Sequence, residues 1–421
     1  MMYYTLGGIH MNRTKLWNKD FMLLIQGTLF STFGAVLYSA AIAYWVYEKT
    51  ASTTLMGILS GISFFIRTIA GPISGTLTDH LRRRNILVYT DLVRGVVFTV
   101  LGLLAFRDKM SVPMVVIVAL ISGICSSLFD PASSSLAPDM LNESILIKGQ
   151  SLLNGSMTII NLIGTALSGI LIVRCGVPML IIVNGICYII SAISERFIHD
   201  YPSHKSEKVS DMKTIVSDIK EGITYFRNDK GLLKFALCCI LGNFFVSGFF
   251  NLLLPYCLQN NMSTEQYGYL GAFISAGSLI GTLLPAMTDI YQKRPMRYVV
   301  MGLILFTVAG TAAVYTASYL PTAVLFFICF IANGFSNGIL NGLLIMMMPE
   351  DKRGMMMGMF MTAVMIGNAL SSLVYGVLGD LIPLKVLGTL AFMLVLIPIT
   401  LAFSEDVQEL KIRNNKKQAV I

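Results

Sequence analysis

The sequence predicts an all-α integral membrane protein, with twelve transmembrane helices arranged as two pseudo-symmetric six-helix bundles. Three observations predict it. Of 421 residues, 55% are hydrophobic and only 13% are charged, with a mean hydropathy of +0.71, against about 25% charge in a soluble domain. The apolar residues are gathered into twelve runs, and crossing hydrocarbon takes about 20 residues each. The two halves of the chain also repeat one another. So few charges cannot furnish the surface of a soluble enzyme, a disulfide-rich secreted fold or a nucleic-acid-binding domain, and twelve spans with their loops use the whole chain.

Taken in order, span one covers 21–47, between Lys19 and the pair Glu48-Lys49. Span two covers 55–78 and span three 86–106, separated by Arg82, Arg83 and Arg84. Span four covers 112–128 and stops before Asp130-Pro131, a pattern that reads as a helix N-cap followed by its first residue. Spans five and six cover 150–173 and 177–197, divided at Arg174. Spans seven to twelve cover 232–258, 266–288, 298–317, 321–348, 354–378 and 383–403. The longest polar stretch, 199–230, carries mixed charge at helical spacing over 211–225 and reads as a linker with a surface helix. The chain thus divides into an N-terminal segment (1–20), a first bundle (21–197), a linker (198–231), a second bundle (232–403) and a tail (404–421). No apolar segment precedes span one, so a cleavable signal peptide is not expected and span one should direct insertion. Met11 is an alternative start.

Loop charge sets the orientation. Of the 31 Lys and Arg residues, 24 fall on the side of the termini and the linker and five on the other, with Arg67 and Arg94 inside spans. The positive-inside rule places both termini in the cytoplasm of a bacterial inner membrane. The net charge of +8 is explained by this asymmetry rather than by nucleic acid.

The halves are related by duplication. "GPISGTLTDHLRRR" from Gly71 aligns with "GTLLPAMTDIYQKR" from Gly281, matching Asp79 with Asp289 and Arg84 with Arg294. Pro138-Asp139 aligns with Pro349-Glu350, and Asn161 and Gly169 align with Asn368 and Gly376. Transporters built from repeats bind substrate between them near the bilayer midplane.

With these motifs in place, the chain resembles the major facilitator superfamily. The loop between spans two and three reads Gly75-Thr-Leu-Thr-Asp79-His80-Leu-Arg82-Arg83-Arg84, matching the family's gating motif at the glycine, the aspartate and the final basic pair. A closer likeness is to the drug-efflux branch that includes Mef-type macrolide exporters, carried by "DLVRG" from Asp91, "FDPASSSLAPD" from Phe129 and "DIKEGITYFRNDKGLL" from Asp218. The resemblance implies the major facilitator fold and a monomeric secondary transporter in the lipid bilayer, exporting amphipathic organic compounds by proton antiport, with no cofactor. It also implies a cytoplasmic latch, with Asp79 and the arginines facing the start of span eleven and Asp289, Lys293 and Arg294 forming the second copy. Two departures stand out. Ser122 occupies the span-four position where many exporters carry a coupling arginine, and Thr165 and Ser168 replace the proline and a glycine of the span-five antiporter motif. An importer of a small nutrient, or a lipid flippase-like protein, would share the hydropathy.

Polar side chains recur along three spans. Asn333, Asn337 and Asn341 share one face of span ten, beside Gly334, Gly338 and Gly342. Their counterparts in span four are Ser122, Ser126 and Asp130, and span seven shows Asn243, Ser247 and Asn251. Amides facing lipid are costly, so these stripes should face the interior, where they either bond between helices or line a cavity; Asn161 and Asn368 belong with them. Arg67 is a mid-span charge and must meet water, a carboxylate, a ligand or a backbone carbonyl. Asp91 and Arg94, three residues apart, can pair with each other and with Arg82–Arg84. Asp91, Arg94 and Asp130 are the coupling candidates. The seven cysteines and 25 methionines have no metal-ligand spacing and read as packing residues, so no metal is expected. No phosphate-binding loop or nucleophile constellation occurs.

The charge asymmetry predicts that single-cysteine variants at Ser203 and Gln418 resist an impermeant thiol reagent applied to intact cells and react once the membrane is opened. Labelling from outside would reverse the orientation.

Overall fold

The computed structural model describes residues 17–199, 224, 227, 229–288, 294–316, 318–347 and 353–402; within these, the side chains of 67–69, 71–73, 75–80, 137, 143–144, 147, 286, 345–347, 353–355, 399 and 401–402 lie outside the description. The twelve spans are built as follows. Helix α1 (Lys19–Thr50) is span one; the Asn18 carboxamide accepts from the Phe21 N–H at 2.8 Å, and the helix closes on a left-handed Ala51. Spans two, three and four are α2 (Thr53–His80), α3 (Arg83–Phe106) and α4 (Val112–Met140). Spans five and six form one run, Glu143–Arg196, broken at Gly176. Gly176 has φ 77°, open to glycine without strain, and Pro178 follows it. We call the arms α5 (143–175) and α6 (177–196).

The second half runs through α7 (Lys230–Asn251), continued by α8 (Leu253–Gln259), then α9 (Thr264–Met287), α10 (Pro295–Tyr315), α11 (Tyr319–Met347) and α12 (Arg353–Leu381), and ends in α13 (Leu384–Leu394) and α14 (Leu396–Ala402). Helices α7 and α8 make span seven, α9 to α12 make spans eight to eleven, and α13 with α14 makes span twelve. Start signals are local: Asp229 accepts from the Leu232 N–H at 3.1 Å, and Ser263 with Gln266 forms a reciprocal capping box. Among the described residues, nine helical stretches are long and apolar enough to cross a membrane by themselves, including Lys148–Arg196, which holds two spans. The apolar cores of the remaining two, Thr53–Ile66 and Leu384–Pro398, are shorter.

Span four departs from expectation. Asp130 does not cap a new helix; α4 runs through Pro131 and Pro138 to Met140. An internal proline costs about 3 kcal/mol, but Phe129, Ala132, Leu136 and Met140 lie on one face and are buried in the core of the first half, which keeps the helix going. The expected surface helix at 211–225 lies outside the described residues except at Thr224.

Two ends of the molecule differ. At the end where α1 starts, called proximal here, each half has its own core: Phe21, Leu87, Leu136 and Ile198 in the first, and Leu232, Phe235, Val299 and Met356 in the second. At the opposite, distal end, Val46, Met56, Leu59 and Val115 of the first half join Phe249, Tyr256, Phe306 and Phe392 of the second in one core. Two backbone crossings reinforce this end. Gly57 of α2 lies on α12, where an added Cβ would come within 2.3 Å of the Ser372 carbonyl oxygen and 2.9 Å of the Gly376 Cα. Gly169 of α5 lies on α9, where it would meet the Thr264 carbonyl oxygen at 2.3 Å and the Gly268 N at 2.9 Å. Gly334 of α11 likewise packs on α9, while an added Cβ at Gly342 meets nothing within 4 Å.

These crossings predict that Gly57→Val destabilises the folded protein by about 1–3 kcal/mol, because the carbonyl it meets is backbone and cannot swing away. Gly242→Val, where a Cβ meets nothing within 4 Å, is the control. Thermal unfolding in detergent should show a lower midpoint only for the former; equal midpoints would dismiss the crossing as a constraint.

Candidate functional site

Three polar features stand out against the apolar bundle. The first is a distal clamp. Asp380, in the last turn of α12, meets the start of α2 in the other half. One carboxylate oxygen accepts from the Thr53 N–H at 2.6 Å and the Thr53 hydroxyl at 2.8 Å. The other accepts from the Ser52 hydroxyl at 2.9 Å and the Thr54 N–H at 3.1 Å. The acid therefore caps a helix of the opposite half, satisfying orphan amides and facing the positive end of its dipole. Thr53 is buried and also donates to the Gly376 carbonyl at 2.7 Å.

The second is a cavity of about 350 Å³ in the first half, walled by α1, α3, α4, α5 and α6. Helix α1 contributes the hydroxyls of Thr28, Ser31, Thr32 and Ser39 and the apolar Ala35 and Val36; the other helices add Arg94, Asp130, Asn161, Phe129, Met157 and Tyr188. The lining is mixed: one cation, one carboxylate, hydroxyls, an amide and aromatic faces. Such a wall suits a solute with both polar and apolar parts.

The third is a charge cluster behind that wall. Asp91 and Glu195 are fully buried and Arg94 nearly so. The Arg94 guanidinium pairs with Asp91, donates to the Ser126 hydroxyl at 3.4 Å, and lies between the rings of Phe129 (4.8 Å) and Tyr188 (4.5 Å). Ser191 donates to Glu195 at 3.4 Å and also lies against Asp91. Nearer the proximal surface, His199 contacts both oxygens of Asp20 at 3.0 Å.

The predicted residues distribute as follows. Arg94, Asp130 and Asn161 line the cavity, and Ser126 supports Arg94. Ser122 is half-buried in α4. Asn251 donates to the Ser372 hydroxyl at 2.6 Å, an interhelical bond between α7 and α12. Asn337 donates to Asn333 at 2.8 Å, Asn243 donates to the Cys239 carbonyl at 2.9 Å, and Asn341 is exposed. The side-chain oxygen of Asn368 is buried and has no hydrogen-bond partner. None of these second-half amides is among the lining of the cavity. The expected pairing of Asp91 and Arg94 with the loop arginines is corrected: Arg83 donates to Asp139 at 2.5 Å and Arg84 to the Ile198 carbonyl at 3.3 Å, both within the first half, and Arg82 is exposed. Arg294 is exposed at the start of α10. The side chain of Arg67, Gly75, the Asp79 carboxylate, Asp289 and Lys293 lie outside the described residues, so the proximal latch is not seen.

Sequence reasoning missed Glu195 and Asp380. Glu195 falls beside Arg196 at a span end and looks like loop charge; its signal is the spacing Tyr188, Ser191, Glu195 on one helix face. For Asp380 the signal is Ser52-Thr53-Thr54, a run of N-capping residues whose acid comes from elsewhere.

A family model described as Major Facilitator Superfamily matches residues 24–372. Macrolide efflux protein A of Streptococcus pyogenes is 25% identical over 286 residues, covering 68% of this chain and 70% of that protein. Multidrug efflux pump Tap of Mycobacterium bovis (strain BCG / Pasteur 1173P2) is 23% identical over 313 residues, covering 73% and 74%. Among solved structures, a bacterial homologue of the human lysosomal transporter Spinster, in an inward-facing and occupied conformation, superposes with a TM-score of 0.73 at 13% identity, covering 91% of this chain and 95% of that one.

The clamp predicts that Asp380→Ala weakens the distal contact by about 1 kcal/mol, the worth of an N-cap. Spin labels at Lys109 and Lys385, on the distal ends of the two halves, should then show a new population at longer distance. An unchanged distribution would reduce Asp380 to a surface acid.

Proposed function

The chain belongs to the Major Facilitator Superfamily, and on that premise we propose that it exports amphipathic, macrolide-like organic compounds by alternating access, driven by proton antiport. As a multi-pass membrane transporter it handles a small molecule within the bilayer. The observation that carries the export reading is the first-half cavity, whose wall mixes hydroxyls and an amide with Phe129, Tyr188 and Met157. A solute with hydroxyl groups on an apolar frame matches that mixture. The two relatives, a macrolide efflux protein and a multidrug efflux pump, agree with it.

With both termini cytoplasmic in a bacterial inner membrane, the distal end is the outer one. The fused distal core, together with the separate proximal cores among the described residues, supports a state closed to the outside and open towards the cytoplasm. That is the state an exporter loads from. The family's gating motif at Asp79, with its second copy at Asp289, would close the cytoplasmic side in the opposite state. Of the asparagine stripes, Asn161 faces the cavity, and Asn333, Asn337 and Asn341 would complete it from the second half.

A second reading is uptake of a small hydrophilic nutrient, favoured by four hydroxyls from one helix, Thr28, Ser31, Thr32 and Ser39. Expression in an efflux-deficient bacterium separates the two. The export reading expects raised resistance to erythromycin that a protonophore abolishes. Unaltered susceptibility to erythromycin and to a panel of amphipathic drugs, together with uptake of a labelled nutrient, would reverse the assignment.

A further inference from the structure

We propose that Asp91, Arg94 and Glu195 form a proton-binding site in which the two carboxyl groups share one exchangeable proton. The charge count carries the inference. Two carboxyl groups, both fully buried, lie within electrostatic reach of a single buried guanidinium, which pairs with only one of them. Arg94 pairs with one oxygen of Asp91, and the other Asp91 oxygen has no hydrogen-bond partner. Glu195 has only the Ser191 hydroxyl, on one oxygen at 3.4 Å, and its second oxygen is also buried without a partner. An isolated ionised carboxylate in an apolar interior is prohibitively costly, so one of the two must be neutral. The proton belongs to the pair rather than to either residue.

Among the described residues, Arg94 is the one cation acting on the two acids. From α3 the cluster receives Asp91 and Arg94; from α6 it receives Tyr188 and Ser191; from α4, Cys125 and Asp130 stand within electrostatic reach of Arg94 and Tyr188. On the α1 side lies Gly27, where a Cβ would lie 3.1 Å from the Ser191 hydroxyl and 3.3 Å from a Glu195 oxygen, with the hydroxyls of Thr28 and Ser31 beside it in the chain. The close approach of the α1 backbone seals the cluster from that side. Asp20, further along α1, is engaged by His199 at 3.0 Å. Along α6, Tyr188, Ser191 and Glu195 follow one face towards His199, which is 40% exposed at the proximal end. That line gives the proton a polar route to the proximal surface. Arg94 and Tyr188 also line the cavity. Loss of the proton leaves two carboxylates competing for Arg94, and the cavity wall feels it directly.

The site deepens the proton-antiport reading, but its first test does not depend on that reading. Infrared titration of the purified full-length protein in lipid nanodiscs should show the carbonyl stretch of a buried protonated carboxyl at neutral pH. Glu195→Gln and Asp91→Asn each leave one carboxylate for one guanidinium, so the band should vanish in both. Absence of the band in the wild type, or its survival in either variant, overturns the proposal. The second test uses inverted membrane vesicles with erythromycin as the probe. Uptake driven by a pH gradient should fall roughly tenfold or more in Glu195→Gln. Exchange of labelled for unlabelled erythromycin, which moves no net proton, should persist. Gradient-driven uptake at the wild-type rate in that variant would overturn the coupling role. If the wild type moves no erythromycin, the macrolide reading fails while the infrared band still decides the proton site.

Discussion

The two glycine crossings are the constraint on which the rest of the structure depends. Gly57 rests on Gly376, and Gly169 rests on Gly268, with no side chain between the backbones. Membrane helices have little hydrophobic drive to associate, so close van der Waals approach through small residues is what holds them. Here both close approaches join one half to the other, at equivalent places. Thr53 and Gly57 recur as Thr264 and Gly268 in the second half. The halves therefore meet through two matching ridges at the distal end, and their proximal cores do not have to touch. A contact made of bare backbone on one edge, with separate cores on the other, is the geometry that permits rocking.

The distal end is held by more than the glycines. Asp380 caps α2 in trans, and the aromatic cluster of Phe249, Phe306, Phe326 and Phe392 packs beneath, with centroids 5.2 Å apart for Phe306 and Phe392. These two kinds of bond answer differently to opening. The aromatic core sits mainly within the second half and can survive a rotation. The four bonds to Asp380 run strictly between halves and must break together. Water takes them over when they do, because Asp380 is exposed. The cost of opening is thereby kept to the modest worth of a solvated cap.

Most of the fold was legible because hydrocarbon imposes a simple code: apolar runs of span length, with charge left in the loops. The code fails where one helix serves two environments. Residues 129–140 read as lying beyond span four, with Asp130-Pro131 as the cap of a new helix, yet α4 continues and its face bearing Phe129, Ala132, Leu136 and Met140 is buried. Packing outweighed two prolines, and no local signal states the result of that competition. The candidate site was legible by residue type on the first half, where Arg94, Asp130 and Asn161 converge on one cavity. It was less so where the partner is remote. Asn251 reads like Asn161, but its amide is spent on Ser372, 121 residues away. Glu195 reads like a loop acid because its guanidinium lies 101 positions back in the chain, on α3.

The duplication explains why the halves differ as much as why they match. Helix α10, the counterpart of α3, carries only Arg297 as a charge, near its start, and the counterpart of α6, α13 with α14, carries only Lys385. Where α3 of the first half buries Asp91 and Arg94, α10 buries the apolar Val300, Gly302 and Phe306. An apolar α10 in the place of a charged α3 is therefore compatible with the fold. Replacing a buried ion pair by packed apolar groups is frequently neutral or stabilising, and the second half demonstrates the alternative within the same chain. Stability alone gives the first half no reason to keep the Asp91–Arg94 pair there.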